Sequence, residues 1–187
     1  MKSFTGTDAV FVDVGSLKIL DRATLEQRFD RLLDANGPAL TRLAASYTNT
    51  VTDRDDLLQE IAMAIWQALP RFRGECSERT FLFRIAHNRG IAHLARVRSQ
   101  MPGFAEEMEV RDPAPDPESE LSREQSAERL RRAIHRLPIA YRQVITLTLE
   151  GLGYGEIAEV LGISENNVGV RLSRARQILR ESLEDQK

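Results

Sequence analysis

The chain has 187 residues, of which 42% are hydrophobic, 29% charged and 6% aromatic. This composition fits one or two small helical domains and excludes collagen-like, fully disordered and disulfide-stapled proteins. The net charge of −2 indicates no overall cationic field, and the single cysteine together with the lack of a long uncharged apolar run predicts a cytoplasmic protein.

The N-terminal half of the sequence predicts a helical domain that follows an N-terminal extension, residues 1–23. Within the extension, residues 9–14 have the only strand-like pattern in the chain. Residues 24–100 contain four amphipathic stretches at helical spacing. The first ends near Asn36 and Gly37, and Pro70 closes the third. Capping or first-turn residues place the four helix starts at Thr24 (with Gln27), Pro38, Thr52 or Asp53, and Ser77.

The third and fourth predicted helices carry opposite charges. Residues 53–60 hold four acids and one arginine, whereas residues 79–98 hold five arginines and no acid. Local fields act on a partner over a Debye length of about 8–10 Å, so the near-zero total does not exclude charged partners. Both charge clusters also have explanations that need no partner. Acids favour the N-terminus of a helix, and many arginines are simply solvated.

Residues 101–120 predict a flexible acidic linker. They contain seven acids, one arginine and four of the seven prolines, with little apolar content. Such a segment buries too little surface to offset the entropy of ordering it. It separates the N-terminal domain from a C-terminal domain of residues 121–187.

The C-terminal domain predicts four helices, the last two of which form a helix-turn-helix. Ser122 (with Gln125) opens the first helix, Pro138 opens the second, and residues 154–183 hold the other two. Within residues 154–168, Gly162 supplies a left-handed turn, and small Ala158 allows the second helix to cross closely. We expect Ser164 to cap the last helix.

The last helix has an apolar face and a polar face about 120° apart. Val168, Leu172, Ala175 and Leu179 share the face that must pack. The other face offers amide, hydroxyl and guanidinium groups to a major groove, and a helical hairpin with a basic solvent face is the alternative. The predicted DNA-binding residues are Asn166, Asn167, Val170, Arg171, Ser173 and Arg174.

Several motifs in series resemble the extracytoplasmic function (ECF) sigma factors of the sigma-70 superfamily. Segments 53–66, 69–74 and 79–89 resemble their region 2, in the same order along the chain. The resemblance to region 4 rests on Leu137-Pro138, Tyr141-Arg142, Glu150-Gly151, the helix-turn-helix and the ending at 171–176. It covers about residues 25 to 183 and implies an all-α fold of two small helical domains joined by the linker.

The resemblance also implies partners and roles. Such a protein binds core RNA polymerase through the β′ coiled coil and the β flap, and it directs promoter recognition without catalytic activity, metal or cofactor. Region 4 reads the upstream (−35) element, and region 2 reads and opens the downstream element. The implied polymerase-binding residues are Asp53, Asp55, Asp56, Leu57, Gln59 and Glu60. The implied DNA-binding residues of region 2 are Arg73, Arg79, Phe81, Arg84, Asn88, Arg89, Arg96 and Arg98.

Some of these assignments have alternatives. Phe81 and Trp66 fit a hydrophobic core as well as a base-stacking platform, and Cys76 fits a tolerated small residue as well as a redox site. Gly169 and Ala92 depart from residues common in the family, so the resemblance implies no particular promoter sequence. An anti-sigma factor is a further expected partner. Rival functions are a stand-alone helix-turn-helix regulator and a nucleic-acid enzyme with such a domain.

Overall fold

The computed structural model describes residues 22–100 and 121–184, and both ranges are helical, as predicted. The predicted strand at 9–14 and the linker at 101–120 lie outside these residues. A short 3-10 helix, Leu69–Arg71, follows the second α-helix. The α-helices are α1 (Arg22–Ala45), α2 (Val51–Ala68), α3 (Glu78–Gln100), α4 (Leu121–Arg136), α5 (Ile139–Leu149), α6 (Tyr154–Leu161) and α7 (Glu165–Glu184).

The prediction of two helices on either side of Asn36 and Gly37 was wrong. α1 runs without interruption through Pro38, even though proline removes one backbone donor. Its buried stripe continues across the proline, from Leu32 to Leu40. Gly37 has no positive φ and therefore does not end the helix. Burial of one long apolar face outweighs the local stop signal.

Three further predicted helix starts needed correction, and two were confirmed. α1 already includes Arg22, so Thr24 does not open it, whereas Pro138 is the N-cap of α5 as predicted. Thr50, not Thr52 or Asp53, is the N-cap of α2, since its hydroxyl accepts from the Asp53 N–H at 3.0 Å. α4 begins at Leu121, so Ser122 lies within the helix. Ser77 caps α3 as predicted, accepting a hydrogen bond from the Thr80 N–H at 2.9 Å.

Helices α1, α2 and α3 pack into one module around fully buried side chains that include Leu43, Leu57 and Phe83. Trp66 packs edge-on against Phe29, with ring centroids 5.3 Å apart, which makes it a structural aromatic. We refer to residues 22–100 as the N-terminal module.

Helices α4 to α7 form the C-terminal module, residues 121–184, whose buried side chains include Leu147, Ile157 and Leu172. The two modules are in contact, chiefly through α3 against α6 and α1 against α5. This contact was not predicted from the sequence. In the part of the chain that the structure describes, no helix has the length and apolar content to cross a membrane.

Candidate nucleic-acid interface

The turn between α6 and α7 has the geometry that the sequence predicted. Gly162 has φ 65°, in the left-handed region, and its N–H donates to the Ala158 carbonyl. The Ile163 N–H donates to the same carbonyl at 3.1 Å. Ser164 caps α7 by accepting from the Asn167 N–H at 3.2 Å. A left-handed glycine and a capped helix together fix the angle at which α7 leaves the turn.

The two predicted faces of α7 are present. Val168, Leu172, Ala175 and Leu179 are all buried against the rest of the module. On the opposite side Arg174 is exposed, as are Asn166, Val170 and Ser173. The Arg171 Nε donates to the Asn167 side-chain oxygen at 2.9 Å, which holds the guanidinium and amide side by side. The face therefore presents a guanidinium pair, an amide and a hydroxyl to the outside.

The residues predicted to bind DNA on α3 and in the loop before it divide into an outer and an inner group. Asn88, Arg89 and Arg98 are exposed, and so is Arg73 in the preceding loop. Arg96 is also exposed, but it forms an ion pair with Glu60 of α2 at 2.8 Å.

The inner group of α3 does not face solvent freely. Arg79 and Arg84 are partly buried, and both point toward the C-terminal module. Phe81 is buried and packs against Phe72, with centroids 4.5 Å apart. The prediction that the Phe81 ring is exposed and stacks on DNA bases was therefore wrong. In this conformation Phe81 is a core aromatic.

The acidic face of α2 lies at its N-terminal end. Asp55, Asp56 and Gln59 are exposed, whereas Asp53 is bound to the N-cap Thr50, whose hydroxyl donates to its carboxylate at 2.7 Å. Leu57 is fully buried among the helices. Its predicted place on a binding surface was wrong, because its position on α2 points into the core of the module.

A group of charged contacts joins the modules where α1 and α3 meet α6 and the C-terminal end of α5. Arg42 forms a two-point ion pair with Glu150, at 2.6 and 2.7 Å, and the Glu150 carboxylate is almost fully buried. The Arg79 guanidinium donates to the Glu150 carbonyl oxygen. The Thr80 hydroxyl donates to Glu156 at 3.1 Å, and Arg84 pairs with Glu159 at 3.1 Å.

A second group joins the turn after α1 to α4 and α5. The His135 Nε2 donates to the Thr48 carbonyl at 3.0 Å, and the Arg142 guanidinium donates to the Ser46 carbonyl at 3.1 Å. Arg142 also donates two hydrogen bonds to the carbonyl of Leu137, the residue that follows α4. Burial lowers the pKa of Arg142 to about 10, so it remains a cation at neutral pH. Sequence reasoning missed both groups.

Cys76 lies near the first group but has an unreactive environment. Burial, followed by the Glu159 carboxylate, raises the pKa of its thiol, whereas Arg84 lowers it. A raised pKa disfavours the nucleophilic thiolate. Within residues 22–100 and 121–184, no cluster of three or more histidine, cysteine or acidic side chains is suited to a metal ion.

The buried histidines predict a loss of stability in mild acid. Burial lowers the pKa of His87 and of His135 below the ordinary value of 6.5. As the pH falls from 7.0 to about 5.5, the unfolded chain takes up these protons first, so the free energy of unfolding decreases, by at most about 1.4 kcal/mol per histidine per pH unit. Urea denaturation at both pH values measures this, and His135→Gln should reduce the pH dependence. An equal pH dependence in wild type and H135Q would contradict it.

Comparison with known proteins agrees with the two-module arrangement. Residues 32–100 match the family model described as sigma-70 region 2, and residues 127–179 match sigma-70, region 4. The sigma factor NccH of Alcaligenes xylosoxydans is 33% identical over 153 residues, covering 79% of this chain and 82% of that protein. The chain belongs to the sigma-70 family of RNA polymerase sigma factors.

Other relatives place this chain in the ECF group of sigma factors. The ECF sigma-E factor of Haemophilus influenzae is 28% identical over 188 residues, covering 89% of this chain and 97% of that protein. A structure of CnrH with the cytosolic domain of CnrY is 28% identical, with a TM-score of 0.65, covering 87% of this chain and 91% of that one. The sigma factor RpoE of Bartonella quintana, crystallised with the anti-sigma factor NepR, shares the fold at 23% identity and a TM-score of 0.68, covering 86% of this chain and 99% of that one.

Proposed function

We propose that this ECF sigma factor selects promoters with α7, opens them with α3 and binds core RNA polymerase with the exposed end of α2. The observation that supports these three separate roles is that the three exposed surfaces lie on three different helices of one chain. Sigma factors are specificity subunits, and we propose no catalytic activity for this chain itself.

For the upstream element, the proposal rests on the exposed face of α7. Arg171 and Arg174 offer guanidinium groups that suit guanine edges or phosphates, and the Asn167 amide holds Arg171 in place. The exposed Val170 supplies an apolar contact of the kind that a thymine methyl group accepts.

For the downstream element, the exposed side chains of α3 and its preceding loop support contact with separated strands. Arg73, Arg89 and Arg98 supply positive charge for phosphates, and the Asn88 amide suits a base edge. Opened DNA needs such a cationic track because each unpaired strand keeps its phosphate charge.

For core polymerase, the proposal rests on Asp55, Asp56 and Gln59, which are exposed on consecutive turns of α2. A carboxylate-rich face suits a basic helix pair such as the β′ coiled coil. The solved relatives in complex with CnrY and NepR further support an anti-sigma factor as a partner of this chain.

Gel filtration with core polymerase, followed by run-off transcription from genomic fragments, tests this function. Co-elution together with new transcripts supports it. A stand-alone regulator would instead bind a palindromic site as a dimer and fail to co-elute. A nucleic-acid enzyme would modify or cleave DNA without core polymerase.

The Arg174→Ala variant tests the role of α7. We expect upstream-element binding and run-off transcription to fall about 5- to 150-fold, because one guanidinium contact is lost, while co-elution with core polymerase is retained. Arg176→Ala is the matched control, since Arg176 is exposed on another side of α7 and carries the same charge. Equal losses of polymerase binding and DNA binding in R174A would refute the division of roles.

A further inference from the structure

We propose that Asn167 and Arg171 of α7 act together to read one guanine in the upstream element and to reject adenine at that position. This inference rests on the proposed function of α7 and adds the base that this part of the helix selects. It follows from the groups that remain free when the two side chains bind each other.

The hydrogen bond between the two side chains fixes which atoms face each other. The Arg171 Nε donates to the Asn167 Oδ1 at 2.9 Å. An arginine nitrogen can only donate, so the amide atom next to it must be the oxygen. The main chain is fixed as well, because the Asn167 N–H donates to the Ser164 hydroxyl at 3.2 Å. Both side chains are therefore held in one arrangement near the start of α7.

This arrangement presents hydrogen-bond donors to a partner. Asn167 offers its amide NH2 group, and Arg171 offers its Nη1 and Nη2 nitrogens. Among residues 22–100 and 121–184, these nitrogens have no other hydrogen-bond partner, and none of them is sealed from solvent. The amide oxygen does not serve a donor on a base, because the cationic guanidinium beside it repels a second donor. The pair therefore suits a partner that carries acceptors.

Guanine is the base whose major-groove edge carries two adjacent acceptors, N7 and O6, and no donor. Adenine and cytosine each place an amino donor in that groove, and thymine offers a single acceptor beside a methyl group. Asparagine ordinarily reads adenine by accepting from its amino group, and here Arg171 occupies the oxygen that would accept. The pair therefore favours guanine and disfavours adenine.

Phosphate oxygens are also acceptors, but the position of the pair favours a base. Asn167 and Arg171 lie in the first two turns of α7, and the N-terminal residues of a recognition helix contact base edges. Arg171 is half-buried and held by Asn167, whereas Arg174 is exposed. A guanidinium held in one orientation suits two-point binding to N7 and O6.

Base analogues test this reading in the holoenzyme, the full chain bound to core polymerase. The promoter is one recovered by run-off transcription from genomic fragments, and titration of the labelled duplex measures affinity. Each guanine of the upstream element is replaced in turn by 7-deazaguanine, which lacks N7, or by hypoxanthine, which keeps N7 and O6. At one guanine we expect 7-deazaguanine to weaken binding about fivefold or more and hypoxanthine less than about twofold. An upstream element without guanine would overturn the proposal.

Two arginine variants assign that guanine to the pair. The penalty caused by 7-deazaguanine should disappear in Arg171→Ala and persist in Arg174→Ala, which keeps the pair intact. A penalty that persists in R171A would contradict the proposal. So would an R171A variant that binds every duplex equally weakly when no guanine depends on N7, which is the result expected for a phosphate contact.

Asn167→Asp tests the contribution of the amide. The carboxylate keeps an oxygen for Arg171 and replaces the amide donors with a second acceptor, near the N-terminus of α7 where the helix dipole favours negative charge. The ratio of affinities for guanine over adenine at that position should fall about fivefold or more in N167D. Gln177→Glu makes the same amide-to-carboxylate change at an exposed position nearly three turns away and should keep the wild-type ratio. Equal ratios in N167D and Q177E would be evidence against the proposal.

The outcomes separate this inference from the proposed function. If co-elution with core polymerase or transcription fails, the proposed function is wrong, and the reading of guanine is wrong with it. If promoters are transcribed and no guanine meets the N7 test, only the inference about Asn167 and Arg171 is wrong.

Discussion

Replacing Asp55 and Asp56 together by alanine is expected to weaken binding to core polymerase by about 10- to 100-fold. Both carboxylates are exposed near the N-terminal end of α2, where the helix dipole and a basic partner each favour negative charge. The nearest cation to Asp55 is its neighbour Arg54, at 3.6 Å, in a pair too exposed to stabilise the fold appreciably. The double variant should therefore remain folded and lose mainly a partner contact.

The matched control for this experiment is Asp30→Ala with Asp34→Ala. These two acids are exposed on α1 of the same module, and their removal changes the net charge equally. Titration of labelled sigma factor with core polymerase measures the affinity of each double variant, and binding of an upstream-element duplex should be the same in both. Equal weakening of polymerase binding by the two pairs would mean that total charge, and not the end of α2, governs docking.

The features that were predictable from sequence are those fixed by neighbouring residues. Gly162 and Ser164 define the turn and the cap within a few positions, and the buried face of α7 follows from helical periodicity alone. The family resemblance then ordered these local patterns into two regions, which the matches at residues 32–100 and 127–179 confirm.

The features that were not predictable depend on contacts between distant residues. Pro38 signals a helix start locally, yet burial of Leu32 and Leu40 on one face keeps α1 continuous. Arg42 and Glu150 are 108 positions apart, and no local pattern pairs them. Leu57 is a different case: it shares the i, i+4 spacing of the buried Ile61 and Ile65, so periodicity alone indicates its burial, and only the family resemblance implied a place on a binding surface.

The close approach of α3 to the turn after α1 gives the largest expected effect on stability. Gly90 of α3 faces the ring of Tyr47, and a methyl group added there would lie 2.5 Å from the ring carbons Cγ and Cδ2. Tyr47 is buried and shares a 2.7 Å hydrogen bond with His87, so its ring cannot move aside freely. We expect Gly90→Ala to lower the free energy of unfolding by about 2 kcal/mol or more, despite the roughly 1 kcal/mol that alanine adds in helix propensity.

Gly37→Ala is the matched control, because Gly37 is also helical and nothing lies within 4 Å of the added methyl group. It should stabilise the protein by about 0.4–1 kcal/mol, since alanine restricts the unfolded chain. Urea denaturation of both variants measures the contrast. Adding Tyr47→Leu to Gly90→Ala should recover part of the loss, because the smaller side chain leaves room for the methyl group. If the two glycine variants instead change stability equally, helix propensity decides the outcome and the contact between Gly90 and Tyr47 is looser than its geometry indicates.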